Sequence, residues 1–120
     1  MNLIDIQSYI YSLINDSNCY DYKAIPSGFD FINNKYAIEI NVASSVVDVQ
    51  HKEEITLQIR IVGNVENKID ISYKATELDN KINNKQFNNF WIVRADAFMQ
   101  TYTDVDKFNC VLNYYINDYK

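Results

Sequence analysis

The sequence predicts an α+β domain: an antiparallel sheet of about four or five strands, with two helices packed on one face and a long projecting β-hairpin. Three observations predict it. Two segments carry apolar residues at steps of three and four. Four other segments alternate apolar and polar residues. The segments follow the order helix, strands, helix, hairpin, with neither an internal repeat nor a linker between them.

The first helix is read from Leu3, Ile6, Ile10, Leu13 and Ile14, one stripe of a 3.6-residue period. Asn15-Asp16-Ser17-Asn18 ends it, because these side chains compete for local backbone groups. Residues 19–34 read as irregular, with turns at Pro26-Ser27-Gly28 and Asn33-Asn34. Phe29 and Phe31 alternate around Asp30 and predict a short strand between those turns.

Residues 35–42 place Tyr36, Ile38, Ile40 and Val42 on one face of a strand. Residues 54–62 repeat the pattern with Ile55, Leu57, Ile59 and Ile61. The connection from Ala43 to Glu53 is longer than a hairpin needs, so it is read as a long extended hairpin whose tip projects beyond the body. Projecting loops carry contacts. Ser44, Ser45, Asp48, Gln50, His51, Lys52 and Glu53 are therefore the first set of candidate interface residues.

After Gly63-Asn64, Asn67 or Asp70 is placed to cap a second helix. Its stripe is Ile71, Ala75, Leu78 and Ile82. Residues 90–102 give the strongest strand signal, with Trp91, Val93, Ala95, Ala97 and Met99 on one face. A turn at Thr103-Asp104-Val105-Asp106 leads into residues 107–119, where Phe108, Cys110, Leu112, Tyr114 and Ile116 share a face. The two strands form an antiparallel hairpin. The closing Tyr-rich strand reads equally as a core strand or as an edge that docks on a neighbouring copy. Arg94, Asp96, Tyr102, Asp104 and Asp106 along this strand edge and turn are the second set of candidate interface residues. Arg94 lies two residues from Asp96 and is long enough to reach a neighbouring carboxylate.

Composition narrows the classes of function. The 120 residues suit one domain, and 48% hydrophobic content suffices for one core. The formal net charge is −5, and no stretch gathers Lys or Arg on one face, which argues against a groove that tracks phosphates. Ten Tyr suit half-buried sheets and subunit contacts, and they equally suit an AT-rich genome. The opening Met1-Asn2-Leu3-Ile4-Asp5 lacks the basic region of a secretory signal, and no apolar run is long enough for a membrane helix. The expectation is a cytosol-like compartment and no membrane. Cys19 and Cys110 are far apart in sequence and read as free thiols, Cys110 packed in a strand.

The chemical motifs are sparse. His51 is the single histidine, and the alternation of a strand sends nearby Asp48, Glu53 and Glu54 to different faces. No nucleophile elbow, zinc-helix motif or phosphate loop occurs in the sequence. Asp104 and Asp106 read as turn residues that satisfy local donors rather than as an acid–base pair. The expectation is no enzyme, no cofactor and no metal. A small ligand-binding domain would instead gather His51, Arg94 and Asp96 around a pocket lined by Tyr and Trp91. An aromatic sheet binding nucleic acid is weakened by the lack of basic residues.

The layout resembles that of the tail terminator or minor capsid proteins of tailed bacteriophages. The resemblance rests on helix Leu3 to Ile14, on strand Ile55-Thr56-Leu57-Gln58-Ile59-Arg60-Ile61 running through Gly63 into helix Ile71 to Ile82, and on Trp91-Ile92-Val93-Arg94 followed by Phe108-Asn109-Cys110-Val111-Leu112-Asn113-Tyr114-Tyr115-Ile116. It implies a structural virion protein assembled in the host cytoplasm. Such a protein forms a homo-oligomeric, hexameric ring that caps the tail tube protein, meets the head connector and lets DNA pass without specific binding. The loop from Ala43 to Glu53 would contact the tube or a neighbour. Another neck or tail subunit would show the same layout.

Overall fold

The computed structural model describes residues 3–87 and 89–119, apart from the side chains of residues 43–45 and 49. Helix α1 (Leu3–Ile14) is followed by strand β1 (Cys19–Asp21). Strands β2 (Ala37–Val49) and β3 (Lys52–Asn64) form a hairpin. A single 3-10 turn (Val65–Asn67) enters helix α2 (Lys68–Ile82). Strands β4 (Gln86–Phe87), β5 (Phe90–Asp104) and β6 (Lys107–Tyr119) complete the chain. All six strands form one sheet in the order β1-β2-β3-β6-β5-β4.

The α+β class with two helices holds, but the sheet is larger than expected and mixed, because β1 pairs with β2 in parallel through Cys19–Asp21 and Ile38–Ile40. Residues 19–34 were expected to be irregular, and three of them add this strand. The strand expected at Phe29–Phe31 is absent, and its place is taken by turns. The reason is local. The Asp30 carboxylate accepts from the backbone N–H groups of Ile32 and Asn33 and from the Asn33 side-chain amide, which curls the chain back on itself.

The stripes on both helices point at the sheet. Ile6, Ile10 and Ile14 of α1 and Ile71, Ala75, Leu78 and Ile82 of α2 join Ile38, Ile40, Ile55, Leu57, Ile59, Ile61, Phe108, Cys110, Leu112, Tyr114 and Ile116 in one buried core. Each fully buried aliphatic side chain contributes about 1.5–3 kcal/mol relative to exposure. Both helices end on an asparagine with positive φ, Asn15 at 46° and Asn84 at 65°, which the short Asn side chain tolerates. Asn67 precedes α2 without a side-chain cap bond.

Gly63 sits where β3 turns under α2. A Cβ there would collide with the Lys35 carbonyl oxygen and lie 2.9 Å from Ile71 Cδ1, so the backbone approach requires glycine. The outer face of the sheet is polar, with Arg60 Nε donating to Glu39 Oε1 at 3.1 Å and Arg60 Nη1 donating to Asn109 Oδ1 at 2.8 Å.

Candidate functional site

The connection from Ala43 to Glu53 is mostly strand. β2 runs to Val49 and β3 starts at Lys52, leaving Gln50 and His51 as the turn. This is the long extended hairpin expected, but β6 stays beside β3 as far as the pair Lys52 and Tyr119, so only the turn stands clear of the sheet. Alternation from Val46 explains the result: beyond a bulge between Val42 and Val46, Val46–Val49 pair again with Ile55–Lys52 of β3.

The structure places the first candidate set at this end. Asp48 is opposite Glu53, and Glu53 is opposite Asp118 on β6, a row of three carboxylates across three strands. Like charges at opposite positions repel, so this end of the sheet is acidic. Lys52 Nζ lies 3.9 Å from Glu54 Oε2. His51 and Gln50 are exposed in the turn. The side chains of Ser44 and Ser45 lie outside the described residues. Val46 and Val47, which belonged to neither candidate set, are exposed beside them.

Strand β5 corrects the expected face. Ile92 is 2% exposed and pairs with Ile116 in the core, whereas Trp91 is 38% exposed and pairs with Asn117 on the outer face. Counting apolar residues favoured the Trp91 stripe, but the register on β6 decides. Between Arg94 and Met99 the pairing shifts, so residues 95–98 bulge opposite Asn113, and Asn113 Nδ2 donates to the Ala97 carbonyl at 3.2 Å. Beyond the bulge Met99 rejoins the helix-side face opposite Leu112.

Arg94 does not pair with Asp96. It reaches across the layers to Asp79 on α2, with Nε donating to Oδ1 at 3.2 Å and Nη2 donating to Oδ2. Tyr114, fully buried, donates its hydroxyl to Asp79 Oδ1 at 2.8 Å. The Arg94 guanidinium also lies 4.5 Å from the Phe98 ring centre. Burial alone would raise the Asp79 carboxyl, but hydrogen bonds from Arg94 and Tyr114 outweigh it and hold the group below the usual carboxylate range. Burial, with the Asp79 carboxylate added, pushes the Tyr114 hydroxyl well above its ordinary value.

A second buried pair escaped the sequence reading. Lys74 Nζ lies 3.1 Å from Asp16 Oδ2 and 3.3 Å from Glu77 Oε2, and Tyr36 donates to Asp16 Oδ2 at 3.0 Å. Burial would lower the Lys74 ammonium, yet these partners raise it overall. The signal was present: Lys74 falls three residues after Ile71 and four before Leu78, and Asp79 four after Ala75 and three before Ile82, at the margin of the apolar stripe.

The two edges of the sheet are both partly open. On one side β1 reaches β2 only as far as Ile40, leaving Val42–Val49 beyond it. On the other side β4 pairs β5 only at Phe90 and Trp91, and Asn84 and Lys85 bond Ile92. From Val93 to Asp104 every described side chain is half-buried or exposed, including Asp96, Met99 and Tyr102. At the far end the turn is shorter than expected: Asp104 is the last residue of β5, only Val105 and Asp106 form the turn, and the Asp106 backbone carbonyl accepts from the Val65 N–H at 3.0 Å. Val105 is 92% exposed with φ at 56°, a conformation that costs a β-branched residue energy.

His51 lies at one end of the sheet, past the Lys52–Tyr119 pair, while Arg94 pairs with Tyr114 five residues inward. The structure therefore does not gather His51, Arg94 and Asp96 around one pocket. The outer face instead holds a shallow depression of about 340 Å³ lined by Thr56, Gln58, Ala95, Ala97, Gln100, Asn113 and Tyr115. Among the described residues, no group of three or more His, Cys, Asp or Glu is arranged to hold a metal ion, and no helix is long and apolar enough to cross a membrane. No protein-family model matches the chain, and no curated protein matches it.

Proposed function

We propose that this chain is a structural virion subunit of a tailed bacteriophage. Its role is that of a tail terminator, whose copies close into a hexameric ring that caps the tail tube and joins it to the head connector. The observation that carries the reading is the pair of partly open edges on opposite sides of one sheet, each offering backbone groups and exposed apolar side chains to a neighbour. The net charge of −5 per chain suits a ring through which DNA passes without sticking. The resemblance in layout supplies the virion context, and a neck or other tail subunit is the neighbouring assignment.

The test is to mix the purified protein with tail tubes assembled from the tube subunit encoded beside it, then to image tube ends by electron microscopy. A ring seated on one end of the tubes and an arrest of their growth are the expected results. Tubes that grow unaltered and carry no added density refute the reading.

The depression on the outer face favours a second reading, a binding domain for a small neutral ligand held by side-chain amides and hydroxyls. Chemical-shift changes confined to Gln58, Gln100, Asn113 and Tyr115 on adding simple sugars would support it. Their absence at millimolar ligand counts against it.

A further inference from the structure

The two open edges differ in where they are open. β1 covers the start of β2, so the free stretch lies at the His51 end. β4 covers the start of β5, so its free stretch lies at the Val105 end. We infer that the free half of β2 in one copy pairs antiparallel with the free half of β5 in the next, so that the sheet continues from copy to copy. This inference rests on the reading of the chain as a self-assembling subunit, and it names the surfaces involved.

Strand sense supports it. Within the sheet β2 and β5 run in opposite directions, since β2, β3, β6 and β5 alternate antiparallel. A second copy in the same orientation therefore presents β5 antiparallel to β2.

Side-chain parity restricts the register. Val46 is level with Ile55 and shares its helix-side face, and Thr101 is level with Cys110 on the same face. Keeping the helices of both copies on one side requires residues of like face to be opposite each other. Placing Val46 opposite Thr101 does this. It also sets Val46 diagonal to Met99 on one face and Val47 diagonal to Tyr102 on the other, four exposed apolar residues brought together.

That register has a shape. With the bulge between Val42 and Val46 counted, the neighbour's Val105 turn reaches the level of Ile40 and must bend past Asp21, the last residue of β1. Measured along β3, which has no bulge against β6, the levels of Val46 and Thr101 run from Ile55 to Ile61, six residues. At about 3.4 Å per residue the slip is roughly 20 Å, set against about 19 Å for the width of four strands. The strands then tilt by about 45° from the assembly axis, at the upper end of the range that closed barrels adopt. A head-to-tail contact with such a tilt can close on itself.

Disulfide trapping tests the pairing. Val46→Cys and Thr101→Cys are made singly and together, the native chain serving as control because Cys110 is buried and burial first, with Asp16 nearby, pushes the Cys19 thiol up to about 12. Under mild oxidant the double variant is expected to form a ladder of linked chains, and a mixture of the two single variants to form one dimer. Each single variant alone should stay monomeric. Dimers of Val46→Cys alone would show β2 pairing with β2 about a two-fold axis and overturn the inference. Trapping no greater than in the native chain also overturns it. A linked ring that ignores tail tubes would leave the pairing standing and remove the tail assignment. A tube-capping ring without the cross-link would do the reverse.

Discussion

Replacing Asp79 with alanine removes the acceptor that joins helix α2 to strands β5 and β6. Tyr114 is 0% exposed and loses its only described hydrogen-bond acceptor, Asp79 Oδ1 at 2.8 Å. A hydrogen bond to a charged group contributes about 1.5–3 kcal/mol, and an orphaned buried donor costs a similar amount. Asp79→Ala is therefore expected to lose about 2–3 kcal/mol, roughly 8–12 °C in Tm for a domain of this size. Tyr114→Phe leaves Asp79 paired with Arg94 and should lose about 1–2 kcal/mol. The double variant should lose scarcely more than Asp79→Ala alone, because the phenylalanine leaves no hydroxyl stranded. The expected coupling is about 1–2 kcal/mol in a double-mutant cycle measured by urea unfolding. Simple additivity of the two losses would refute the account.

The same carboxylate carries a pH signature. Its folded pKa is lower than its unfolded value because hydrogen bonds from Arg94 and Tyr114 outweigh burial. The stability it adds is fully present above the unfolded value of about 4 and is lost as pH falls through the lower folded value. The stability gap between the native chain and Asp79→Asn should thus be constant near neutrality and shrink below about pH 4. A gap that widens on acidification would contradict the assignment.

Gly63→Ala should destabilise by about 3 kcal/mol, since its methyl meets the rigid Lys35 carbonyl and Ile71 at once; a shift in urea midpoint reads it, and no shift would disprove the close approach. Val105→Gly should stabilise by about 1 kcal/mol by relieving the left-handed strain at φ 56°, measured as a higher midpoint at unchanged slope. Cys19, half-buried and raised to about 12, and buried Cys110 should resist alkylation by iodoacetamide at pH 8 and react promptly in 6 M guanidinium, as mass spectrometry would show.

Most of the fold was legible because periodicity is a local property. The stripes on α1 and α2 and the alternation in β2, β3 and β6 point to the residues that form the core. What escaped depends on partners distant in sequence. Ile92 rather than Trp91 faces the core because β6 fixes the register of β5, and a four-residue bulge then resets the alternation. Arg94 chooses Asp79 over Asp96 because α2 crosses above it, fifteen residues away in the chain. Phe29–Phe31 mimicked a strand, but the Asp30 side chain captured the amides that a ladder would need. Of the interface candidates, Asp48, Gln50, His51, Lys52 and Glu53 do lie together at one end of the sheet, and Asp96 and Tyr102 do lie along an open edge. Val46 and Val47 in the Ala43–Glu53 connection and Met99 in its strand were passed over, since exposure of an apolar side chain has no local sequence mark.

The attachment of β5 to α2 has a thermodynamic corollary. Arg94 is moored at the point where the uncovered stretch of β5 begins, and Asn113 holds the backbone at Ala97 a few residues further on. The conformational freedom that a loose strand would surrender on docking has already been given up during folding. On the pairing proposed above, an incoming chain would meet a template whose ordering cost was met in advance, so even a short ladder of backbone bonds would hold it.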